Sequence, residues 1–152
     1  MQVRRLVAWF GVSAVVSSAL GCGSDVDEQG GDQLLARLRA DDYQSWTRAS
    51  GWETAQPTIR QHGATAEIFL NPVMAAARDE EGLSEWPEGA ILVKDSFKDG
   101  SLSLIAAMEK GANGWYYAEW DASGDVLFAG SPEVCVNCHQ VGADHVLSVA
   151  LP

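Results

Sequence analysis

Apolar residues fall into three regimes along the chain. Leu6 to Leu20 is a 15-residue, predominantly apolar run behind Arg4 and Arg5. From Gly23 to Gln33 the pattern inverts to GSDVDEQGGDQ, acidic and glycine-rich, which holds too little apolar surface to start a core and predicts a flexible tether. Periodicity begins at Leu34. Leu34, Leu35, Leu38, Tyr43 and Trp46 recur at helical spacing with a break at Asp41-Asp42, predicting one or two short helices. Pro57 and Gly63 mark a loop, Ala66 to Leu70 reads as a strand, and Asn71 and Pro72 suit the N-cap and first position of a helix through Ala77. Four further β-rich stretches follow: Ala90 to Lys94, Ser101 to Met108, Trp115 to Trp120 and Val126 to Phe128. Turn signals at Lys98-Asp99-Gly100 and Ala122-Ser123-Gly124 join them into an antiparallel meander. A helical turn is predicted from Pro132 and a last short helix over Ala143 to Val149. The pattern is that of a β-rich α+β domain: an antiparallel sheet with short helices.

The first apolar run is too short for a bilayer span of about 20 residues. With its basic start and the small residues Ala19 and Gly21, it reads as an export leader over residues 1–21. Ala19-Leu20-Gly21-Cys22 resembles a bacterial lipobox, so Cys22 is the expected lipidation site. Ordinary secretion, leaving Cys22 as a thiol, is the alternative. The expected organisation is leader 1–21, tether 22–33 and a folded domain over 34–152. The protein would then be exported, periplasmic or at the cell surface, and held to a membrane through lipid alone.

Lys and Arg number 10 against 21 Asp and Glu, a formal net charge of −11. Loss of Arg4 and Arg5 with the leader leaves 8 basic against 21 acidic side chains, or −13. Such a surface repels phosphate backbones, which argues against nucleic acid as a partner, and it steers positively charged redox proteins inward.

Cys135-Val136-Asn137-Cys138-His139 has the spacing of a c-type haem attachment site. Thiols three residues apart share a helical face, match the two vinyl groups of a porphyrin, and leave the following imidazole to ligate iron. A redox Cys-x-x-Cys and a zinc site recruiting His139 or His145 with His62 are the competing readings. Only 13 residues follow His139 and none is methionine, while Met74 and Met108 lie upstream in apolar elements expected to be core. The iron is therefore expected to keep one axial position open to small ligands.

Several stretches together resemble the cytochrome P-460 family: His62-Gly63 before a strand ending in Asn71-Pro72, WPEGAILVKD at Trp86 to Asp95, Asp99-Gly100, WYYAEWDASGDV at Trp115 to Val126, and the terminal CVNCH. The resemblance runs from about Trp46 to the C-terminus. It implies a β-rich fold with haem c packed against one sheet face, and an enzyme that oxidises hydroxylamine or handles nitrogen oxides, passing electrons to another cytochrome. It also implies a lysine bonded to the porphyrin, matching Lys94, which shares a strand face with Ala90 and Leu92. The alternative for Lys94 is a lysine stem reaching solvent. The family's enzymes use a distal acid, for which Glu119 and Glu133 are the candidates, and commonly an arginine. Here the corresponding strand carries Ala66, Glu67 and Ile68 instead. That departure keeps open a non-enzymatic binder of nitric oxide or carbon monoxide, of the related c-prime-beta type, and a simple electron carrier. A homodimer is compatible with either.

Overall fold

The computed structural model describes residues 26–58 and 62–152. The leader and Cys22 lie outside the described residues.

The first helix, α1 (Glu28–Ala40), is amphipathic: Gly31, Leu34, Leu35 and Leu38 are buried at spacings of three and four. The Asp27 carboxylate caps it, accepting from the Gly30 amide at 2.9 Å, and Arg37 and Arg39 sit in its last turn, where cations suit the helix dipole. The helix starts within the expected tether, at Glu28 rather than Leu34. The physical reason lies in the glycines: a Cβ on Gly31 would stand 3.0–3.2 Å from the side chains of Val126 and Ala129, so the bare backbone is what lets the helix approach the sheet. A 3-10 turn, Tyr43–Ser45, follows the break at Asp41-Asp42.

The sheet comprises β1 (Thr47–Arg48), β2 (Gln56–Pro57), β3 (Thr65–Leu70), β4 (Ile91–Lys98), β5 (Ser101–Gly111), β6 (Gly114–Asp121) and β7 (Val126–Gly130). Its order is β1-β3-β4-β5-β6-β7 with β2 also on β3, and every pairing is antiparallel. The β4–β5 turn has Asp99 and Gly100 at φ 52° and 79°, the left-handed pair a two-residue hairpin favours. After β6, the Asp121 carboxylate accepts from the amides of Ser123, Gly124 and Asp125 at 2.8–3.0 Å and closes the next turn.

Between β3 and β4 lies α2 (Pro72–Ala77), with Pro72 in its first turn and Asn71 as N-cap. The buried Asn71 side chain accepts from the amides of Met74 (2.9 Å) and Ile91 (3.0 Å) and donates to the Gly89 carbonyl (2.8 Å), tying helix start to strand start. The last helix, α3 (Glu133–His139), carries the cysteine motif.

Side-chain alternation gives the sheet two covered faces. On one, Phe69, Ile91, Val93, Ile105, Ala107, Ala118 and Trp120 pack under α1. On the other, Ile68, Leu70, Leu92, Met108 and Tyr117 pack with Met74, Trp86, Val146 and Val149. The expected helix over Ala143 to Val149 does not form. That segment is a series of turns with a bridge between Ala143 and Val146, because Asp144 and His145 take left-handed φ values of 44° and 64° that no α-helix accommodates.

Candidate functional site

The second face opens into a cleft of about 410 Å³ between the sheet, α3 and the C-terminal segment. Strand register builds its floor. Lys94 pairs with Ala106 and Ala106 with Glu119, so one cross-strand row reads Lys94, Ala106, Glu119. The adjacent row is Leu92, Met108, Tyr117. At about 4.8 Å per strand, Lys94 and Glu119 stand roughly 10 Å apart at the backbone, and the small Ala106 between them keeps the floor low. All six residues line the cleft, together with Cys135, Cys138 and His139 from α3 and Trp52, His62 and Val146 from the surrounding loops.

His139 is oriented by the residues after it. Its Nδ1 lies 2.9 Å from the His145 carbonyl, which makes Nδ1 the protonated nitrogen and leaves the Nε2 lone pair for a metal. Burial lowers its pKa from the ordinary imidazole value, against the opposing pull of that carbonyl, which favours the neutral form that iron ligation uses. The Tyr117 ring meets it edge-on at 5.3 Å. Burial also raises the Cys135 thiol, with Glu119 and Cys138 adding to the effect. Tyr117 is pushed up to about 12, first by burial, and stays protonated with its hydroxyl 3.2 Å from His145 Nδ1.

Glu119 accepts from His62 Nδ1 at 2.7 Å. The glutamate side chain is 14% exposed and the histidine 28%, so the pair leads from the cleft toward solvent. Glu133, the other candidate acid, sits exposed in the first turn of α3 and does not line the cleft. On the strand where the resemblance implies an arginine, Ile68 is fully buried on the cleft side of the sheet; Glu67 points the other way and pairs with Arg48 at 2.7 Å. Met74 is fully buried core and Met108 is 5% exposed in the cleft floor.

Sequence reasoning missed His62 as the partner of Glu119, Tyr117 as a wall beside His139, and Asp144. The alternation Tyr117, Glu119 within β6 was a usable signal for Tyr117. Nothing local marks Asp144, whose contacts come from three separate segments. Its carboxylate accepts from Lys110 Nζ (2.9 and 3.0 Å), Trp115 Nε1 (3.2 Å) and the Trp86 amide (2.7 Å). Burial alone would raise its pKa, but these donors outweigh it and hold the group below 3.8.

The donor set fits a haem. Two cysteines and a tautomer-fixed imidazole share one cleft over a largely apolar floor, and among the described residues no group of three or more His, Cys, Asp or Glu is arranged to bind a metal directly. A comparison with curated proteins returns no match. The family model described as Cytochrome P460 matches residues 40–146. Since that span takes in both the sheet face of the cleft and the Cys-x-x-Cys-His helix, the chain belongs to the cytochrome P460 family and is a c-type haem protein.

Proposed function

We propose that this protein is an exported, lipid-anchored oxidoreductase that oxidises hydroxylamine and passes the electrons to a partner cytochrome. The observation that carries this reading is the shared cleft: Lys94, Glu119, Cys135, Cys138 and His139, scattered over 46 positions of sequence, line one cavity. Cys135 and Cys138 would hold the porphyrin through thioether bonds and His139 would ligate its iron through Nε2. Haem c, when bound, supplies an electron acceptor and a metal site for a small nitrogenous ligand. The protein's own residues bind, orient and move protons. Glu119 takes a proton at its carboxylate, and His62, bonded to it and nearer solvent, offers the next station outward. Lys94 would bond to the porphyrin edge from the sheet floor and alter its electronics. The leader and Cys22 support export and lipidation at the level of sequence alone.

The test is turnover of hydroxylamine by haem-loaded protein with an artificial electron acceptor, paired with mass spectrometry of the haem peptide. Turnover, and a Lys94 peptide travelling with the porphyrin beside Cys135 and Cys138, are expected. Undetectable turnover in protein whose haem survives denaturing electrophoresis would reject the enzymatic reading. A second reading, a nitric oxide or carbon monoxide binder, is favoured by the apolar lining of Trp52, Leu92, Ala106 and Met108. It predicts tight gas binding, no turnover and an ordinary five-coordinate ferrous spectrum without the shift a lysine bond would cause.

A further inference from the structure

The segment after α3 is shaped to deliver one carbonyl. Gly142 closes the chain back onto the helix, its amide donating to the His139 carbonyl at 2.9 Å, and a Cβ there would collide with the Val146 carbonyl oxygen. Asp144 and His145 then adopt consecutive left-handed conformations, rare for residues other than glycine. Such a backbone persists only where its surroundings over-determine it. Here the surroundings are Lys110 from β5, Trp115 from β6 and the Trp86 amide ahead of β4, all converging on the Asp144 carboxylate. The next carbonyl along, that of His145, receives Nδ1–H of His139.

We propose that Asp144 is the positioning residue for the iron-binding histidine. By locking residues 144–145 to the sheet, it fixes the carbonyl that sets the tautomer, the rotation and the donor strength of the His139 ring. The inference rests on His139 being the iron ligand and goes beyond it. A hydrogen bond from Nδ1 makes the imidazole a stronger donor, which favours ferric over ferrous iron. Loosening the carbonyl weakens that bond and moves the potential upward.

Resonance Raman spectra of the ferrous holoprotein read the iron–histidine stretch directly, and potentiometry reads its consequence. Asp144→Asn keeps the shape but loses the charge that holds Lys110, so the band should broaden and shift to lower frequency and the potential should rise, with haem content unchanged. Lys110→Met leaves Asp144 in place and should shift both in the same direction by less; it decides the matter if Asp144→Asn fails to fold. Asp121→Asn, which alters another turn-forming carboxylate away from the cleft, should move neither. Wild-type band and potential in folded, haem-loaded Asp144→Asn and Lys110→Met would overturn the proposal. A wild-type protein with no iron–histidine band would instead remove the ligand assignment beneath it, so the two failures are distinguishable.

Discussion

Three carboxylates in this protein carry the same formal charge and do different work, and the partners around each decide which. Glu119 faces the cleft against His62. Its replacement by glutamine removes a proton acceptor without changing shape, so hydroxylamine turnover should fall by about 10²–10⁴-fold while carbon monoxide binding is retained. Stopped-flow kinetics with both ligands checks the split. Asp95 is 1% exposed on the opposite sheet face, accepting from Tyr43 and Gln44 at 2.8 Å each. Burial raises its pKa above 3.8 despite those two donors, whereas Asp144 is held below that value. The linkage signs are therefore opposite. The contribution of Asp144 is present above pH about 3.8 and is lost as pH falls through its lower folded value. That of Asp95 is fullest below pH about 3.8 and is lost as pH rises through its raised one. Urea unfolding across pH 3–7 should show Asp95→Asn gaining on wild type as pH climbs, and Asp144→Asn losing.

At the scale of elements, two junctions hold the architecture. Asn71 serves α2 and β4 at once through three hydrogen bonds in a buried setting. Asn71→Ala should cost about 3 kcal/mol, read as a lower urea midpoint with unchanged slope, since it removes a cap and leaves buried polar groups without partners. At the other junction, Gly31→Leu would force a large side chain between α1 and β7 and should cost about 2 kcal/mol. The Asn71-Pro72 start, the meander and its turns were legible because each is written in local chemistry: a capping side chain, a fixed φ, alternating polarity. The cysteine motif and the Lys94 face were legible for the same reason. The start of α1 was not, because a Gly-Gly pair in acidic surroundings carries the composition of a linker, and only contact with Val126 and Ala129 reveals why glycine stands there. The C-terminal segment was misread as helix since its apolar spacing at Val146 and Val149 is compatible with one, while the left-handed residues that forbid it are imposed by Lys110, Trp115 and Trp86, distant in sequence.

The whole molecule carries a net charge of −11. Long-range attraction should accordingly govern who delivers and removes electrons. Reduction of a cationic acceptor should slow as ionic strength rises from about 10 to 200 mM, and that of an anionic acceptor should quicken, because screening shortens the reach of the field from about 30 Å to under 10 Å. Equal salt profiles for the two acceptors would show that charge has no part in the encounter.

The sheet stands between two apolar clusters, with α1 on one side and the cleft on the other. Damage, labels or linkers introduced on the helical side must act through a layer of hydrogen-bonded strands before they reach the metal's surroundings. Robustness and redox tuning can thus be altered separately, and the outward surface of α1 is the place to fasten this protein to an electrode while its cleft stays open to solution.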